Sequence, residues 1–151
     1  MIDVKPVLLV EDDANDVELT LTALAEYNLA NQVFVLRDGA EALDYLYRRG
    51  AFQGQPEALP VVVLLDLKMP KVDGLEVLRQ IKSDERLRVV PVVMLTSSRE
   101  ERDLVASYRL GVNAYVVKPV GFQDFMDAIR ELGLFWAVLN EPPPGSLKLK
   151  S

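Results

Sequence analysis

The chain contains no cysteine and no histidine. Disulfide scaffolds, cysteine nucleophiles, Ser-His-Asp triads, zinc fingers and a histidine relay within this chain are thereby excluded, and any metal ion must be held by oxygen. Long hydrophobic runs are missing too. None reaches the roughly 18 to 20 residues that a membrane span needs, and the opening Met1-Ile2-Asp3-Val4-Lys5-Pro6 lacks the apolar stretch of a secretory signal. A cytoplasmic location without membrane contact is expected. Basic charge is also in short supply: 17 Lys and Arg face 23 Asp and Glu, a net charge of −6. A bare electrostatic grip on nucleic acid needs clustered Lys and Arg, so nucleic acid is not an expected partner. What remains has the balance of a globular protein, with 50% of its 151 residues hydrophobic and 26% charged.

Periodicity organises the chain. Continuous apolar runs stand at Pro6 to Val10, Val33 to Leu36, Pro60 to Leu65, Pro91 to Leu95 and Ala114 to Val117, each reading as a strand buried on both faces. Helical spacing lies between and after them: Val17, Leu21 and Leu24; Ala42, Leu43 and Leu46; Leu75, Leu78 and Ile81; Leu104, Val105 and Tyr108; then Phe122, Phe125, Met126, Ile129 and Leu132. Five strand-helix alternations imply right-handed crossovers and a parallel sheet covered on both faces, an α/β doubly wound fold. Asn15 and Asp16 suit the opening of a helix, Asp73-Gly74 a loop before the third helix, and Gly111 a helix end. Gly50 to Leu59 and Asn140 to Ser146, with Pro142-Pro143-Pro144, read as irregular.

Ligands of such sheets gather at the carboxyl ends of the strands. Glu11, Asp12 and Asp13 follow the first strand and Asp66 the third. Crowded carboxylates must be partly protonated or bind a cation, and Mg²⁺ is a natural occupant because it takes one or two carboxylates and a phosphate oxygen. The plainer reading is that Asp13 and Asp16 complement a helix dipole. Thr96, at the end of the fourth strand, and Lys118, at the end of the fifth, add a hydroxyl and a cation able to pair with a phosphoryl group or with Asp66. Each has an ordinary alternative as a strand residue or a solvated lysine.

Taken together, Glu11-Asp12, the string D-x-x-M-P-x-x-D-G from Asp66 to Gly74, Thr96-Ser97 and Lys118-Pro119 resemble the receiver domains of two-component response regulators, over roughly residues 5 to 132. The resemblance implies a flavodoxin-like (βα)₅ fold with strand order 2-1-3-4-5. It also implies that Asp66 accepts a phosphoryl group from a sensor histidine kinase, without the chain being an enzyme in its own right. Glu11, Asp12, Asp66 and the backbone carbonyl of Lys68 would hold Mg²⁺, Lys118 would pair with the phosphoryl group, and Thr96 and Tyr115 would act as a coupled switch. Tyr115 and Lys118 stand 19 and 22 positions after Thr96, matching the family's spacing.

Residues 1–139 are expected to form the receiver and 140–151 a Pro-rich extension. The segment Leu132 to Pro144 resembles the extension of stand-alone regulators paired with phytochrome-type kinases, which implies a homodimer with Phe135, Trp136 and Tyr115 at the contact. The alternative is that Phe135 and Trp136 fold back over the chain's own sheet. Three other functions are weighed. An aspartyl phosphatase would carry a second Asp where Lys68 stands, and a nucleotide binder would need glycine in the loop Glu11 to Glu18, which has none. A phosphorylation-independent scaffold has less use for Asp12, Asp66, Thr96 and Lys118 together.

Overall fold

Three of the five apolar runs lose their leading residues when they become strands, and two gain a polar one at the far end. In the computed structural model, β1 spans Val7–Val10, β2 Val33–Leu36, β3 Val62–Asp66, β4 Val92–Thr96 and β5 Ala114–Val117. Pro6, Pro60 and Pro91 precede β1, β3 and β4, where an imino acid with no N–H costs the ladder nothing. The structure describes residues 6–25, 33–54, 59–69, 71–96, 106, 108–118 and 121–131. Within them the α-helices are α1 (Ala14–Ala25), α2 (Gly39–Tyr47), α3 (Gly74–Ser83) and α4 (Phe122–Glu131), and a 3₁₀ helix, Gly50–Phe52, opens the stretch expected to be irregular. Of the helix expected around Leu104 to Tyr108, the described residues Ala106, Tyr108 and Arg109 are helical.

All strand pairs are parallel and the order is β2-β1-β3-β4-β5, as the resemblance implied. The order reverses direction between β1 and β3, so the switch point lies where Glu11 and Asp66 emerge. Alternation along the strands divides the core. Val7, Leu9, Leu64, Leu95 and Val116 face Val17 and Leu24 of α1 and Met126 of α4. Leu8, Val10, Leu65 and Met94 face Leu43 and Leu46 of α2 and Val77, Leu78 and Ile81 of α3. Each fully buried aliphatic side chain contributes about 1.5–3 kcal/mol. The central strands are buried throughout, but the expectation of two-sided burial fails at both edges: in β2 Phe34 is exposed and Val33 and Val35 are half-buried, and in β5 Tyr115 and Val117 are half-buried. Each edge strand has a single neighbour in the sheet, β1 for β2 and β4 for β5.

Helix starts are set by side chains. Asp38 Oδ1 accepts from the Glu41 amide at 2.8 Å and Asp73 Oδ1 from the Glu76 amide at 2.9 Å, capping α2 and α3. Asp13, one position before the helix, caps α1 by accepting from the Asp16 amide at 3.0 Å, so the opening falls earlier than Asn15 and Asp16 suggest. Gly74, read from the sequence as loop, is the first residue of α3. A Cβ there would stand 2.2 Å from the Asp66 carbonyl oxygen, and one on Gly39 would stand 2.0 Å from the Val72 carbonyl oxygen. The loop after Asp66 is thus clamped between two helix N-termini that only glycine admits.

A candidate phosphoryl and metal site at the sheet switch point

Three carboxylates converge where β1 and β3 end. Glu11, Asp12 and Asp66 each place an oxygen so that all three lie within 4.8 Å of one another. Glu11 is fully buried and Asp66 is 4% exposed, whereas Asp12 is exposed at the mouth. The main chain fixes their origins: the Glu11 amide donates to Leu36 O at 2.9 Å and the Leu67 amide to Leu95 O at 2.8 Å. Parallel pairing therefore continues one residue past each strand and sets both acidic side chains at the same edge.

Lys118 closes the cluster from β5. Its amide donates to Thr96 O at 2.7 Å, and its Nζ lies 2.9 Å from Glu11 Oε1, 2.9 Å from Asp16 Oδ2 and 3.1 Å from Asp66 Oδ1. Glu11 is used at both oxygens, since Oε2 accepts from the Asp13 amide at 3.2 Å. Burial would lower the Lys118 ammonium, but hydrogen bonds to Asp16 and Glu11 and the charge of Asp66 outweigh it and hold Lys118 above its ordinary value. Asp66 moves the other way. Burial first, then repulsion from Glu11, push its carboxyl from 3.8 up to about 7, with Lys118 opposing. A buried carboxyl in that state is short of positive charge. An all-oxygen set of three carboxylates, two of them buried and one reluctant to ionise, fits a hard divalent cation of the Mg²⁺ type.

The other expected residues are placed as follows. Thr96 is buried as the last residue of β4. Tyr115 is half-buried and packs on the α2–α3 side of the core. Met94 pairs with Tyr115 and Thr96 with Val117, so Thr96 and Tyr115 follow the same face of adjacent strands. Lys68 is exposed on the loop after β3. Pro119, Phe135, Trp136 and the Pro-rich extension lie outside the described residues. Asp16 is the residue that sequence reasoning missed, because it reads there as helix-opening chemistry alone. Its contact with Lys118 spans 102 positions and carries no local signal.

Among the described residues no helix is long and apolar enough to cross a membrane. The response regulator receiver domain family matches residues 7–130. Response regulator Rcp1 of Synechocystis sp. (strain ATCC 27184 / PCC 6803 / Kazusa) is 39% identical over 132 residues, covering 87% of this chain and 88% of its own length. A structure of the Mn(2+)-bound form of Rcp1 superimposes with a TM-score of 0.73 at 38% identity, over 88% of this chain and 94% of that one. The bacteriophytochrome response regulator RtBRR is 65% identical with a TM-score of 0.84, covering 97% of this chain and 88% of that one. The phosphorylated cyanobacterial phytochrome response regulator RcpA is 39% identical with a TM-score of 0.74, over 89% and 94%. Fold, strand-end chemistry and likeness agree that the chain belongs to the response regulator receiver domain family, the signalling proteins of two-component systems.

Proposed function

We propose that this receiver accepts a phosphoryl group on Asp66 from the phosphohistidine of a sensor kinase, of the phytochrome type, in a Mg²⁺-dependent reaction. An Asp66 carboxylate oxygen attacks phosphorus, the P–N bond breaks, and its electron pair leaves with the imidazole. Glu11, Asp12, Asp66 and the backbone carbonyl of Lys68 would hold the ion; when bound, it supplies positive charge that favours ionised Asp66 and offsets charge on the phosphoryl oxygens. Lys118 supplies the remaining charge from the β5 side. Thr96 and Tyr115 form the switch: a phosphoryl group at Asp66 attracts the Thr96 hydroxyl, and Tyr115 follows on the shared face.

The observation that carries this reading is the approach of Lys118 Nζ to within 3.1 Å of Asp66 inside a trio of convergent carboxylates. The phosphorylated and Mn(2+)-bound relatives support it, and the likeness to a bacteriophytochrome response regulator supports the kinase assignment. Residues 1–139 make up the receiver, and the extension from 140 follows it. Output passes through protein contact, including a homodimer in which Phe135, Trp136 and Tyr115 take part. The test is intact mass after incubation with acetyl phosphate, with and without Mg²⁺. One phosphoryl group gained by the wild type with Mg²⁺, and none by Asp66→Asn, is expected; equal labelling of Asp66→Asn would refute the assignment.

A further inference from the structure

We infer that Asp16 is a positioning residue for Lys118, so that the first turn of α1 takes part in building the phosphoryl site. The inference rests on Asp66 being the phosphoacceptor. A lysine carries its charge on four flexible methylenes, and holding that stem in one geometry costs rotamer freedom. Lys118 is nonetheless placed tightly. Its side chain is 10% exposed, and Nζ meets Glu11, Asp16 and Asp66 at 2.9, 2.9 and 3.1 Å.

These three acceptors come from three elements: the end of β1, the first turn of α1 and the end of β3. Two distances alone would leave Nζ a circle of positions around the Glu11–Asp66 line. The third, from Asp16, narrows that circle to at most two points. Asp16 is itself braced, because its amide donates to the Asp13 carboxylate at 3.0 Å. It also stands apart from the metal-binding trio of Glu11, Asp12 and Asp66, which makes its contribution separable from metal affinity. Complementing the α1 dipole requires only a charge in the first turn; it does not require a carboxylate oxygen 2.9 Å from the lysine that follows β5.

The experiment follows acceptance from acetyl phosphate at saturating Mg²⁺, in which an Asp66 oxygen attacks phosphorus and acetate leaves with the P–O electron pair. Maximal rate, donor half-saturation, Mg²⁺ affinity and melting temperature are measured for wild type, Asp16→Ala and Asp16→Asn. Loss of alignment in Asp16→Ala lowers the maximal rate about tenfold and leaves Mg²⁺ affinity within about twofold. Asp16→Asn keeps an oxygen acceptor for Nζ and recovers the rate to within about threefold of wild type. Three results overturn the inference: wild-type rates in Asp16→Ala, faster labelling in both variants, which would mean Asp16 competes for Lys118, or Mg²⁺ affinity falling in step with rate. A wild type that takes up no phosphoryl group overturns the reading of Asp66 itself, and the inference with it.

Discussion

Replacing Asp66, the proposed phosphoacceptor, with its amide should make the metal-free protein more stable, although it removes a carboxylate from the centre of the site. The carboxyl of Asp66 rises from 3.8 to about 7 in the fold because it is buried beside Glu11. The folded state therefore binds more protons than the unfolded one between those values, and stability falls as pH rises through that window. Taken at face value the shift corresponds to about 4 kcal/mol. Water reaching the mouth at exposed Asp12, and charge shared with Glu11 and Lys118, reduce this to about 1–2 kcal/mol. For a domain of this size that is a rise of about 4 °C in melting temperature for Asp66→Asn. The assay is thermal unfolding in chelating buffer from pH 4 to pH 8, with wild type and variant side by side. The curves should coincide near pH 4 and separate with the variant above by pH 8. Adding Mg²⁺ should raise the wild type more than the variant, since binding to the folded state alone stabilises it by mass action. An Asp66→Asn protein less stable than wild type at pH 8 without metal, or a difference unchanged across the range, would refute the argument.

Other substitutions probe the same architecture. Lys118→Met leaves fully buried Glu11 without its ion-pair partner; the expected loss is about 3–5 kcal/mol near neutral pH, and unfolding at pH 5 should show a smaller loss, because Asp66, raised to about 7 by burial and by Glu11, is then protonated and no longer adds a second unpaired charge. Gly74→Ala forces a methyl group against the Asp66 carbonyl; a loss of about 3 kcal/mol, read by chemical denaturation, should accompany slower labelling of Asp66. Changing Phe135 and Trp136 to polar residues should lower the association state, and an unchanged mass in light scattering would favour their folding back on the chain's own sheet.

Much of the fold was legible because parallel strands buried on both faces must be apolar throughout. Val62 to Leu65 and Val92 to Leu95 announce themselves by composition. Strand order was not legible from periodicity, which treats every crossover alike; it entered through the resemblance carried by Asp66 to Gly74. Burial at the edges was misread for a related reason, since Val33 to Leu36 has the composition of a central strand and only the sheet order exposes Phe34. The candidate site was legible where its residues sit directly on a strand end, as at Glu11, Asp66 and Lys118. Asp16 was hidden because its contact with Lys118 depends on how α1 lies beside the end of β5. The far end of the sheet hides a similar contact: Lys82 Nζ donates to Val90 O and Asn113 Oδ1, each at 3.0 Å, fastening α3 to the start of β5. Neither Lys82 nor Asn113 carries a motif.

The valence of a single nitrogen sets a rule for the site. The Lys118 ammonium has three hydrogens, and Glu11, Asp16 and Asp66 each stand within hydrogen-bonding reach of it. Its three hydrogens face three carboxylates. If Asp66 accepts a phosphoryl group, the arriving oxygen would have to share these hydrogens or displace a carboxylate from them, so a gain at one place would loosen a contact at another. Phosphoryl uptake would then be an exchange of partners around one ammonium ion as well as a substitution at phosphorus.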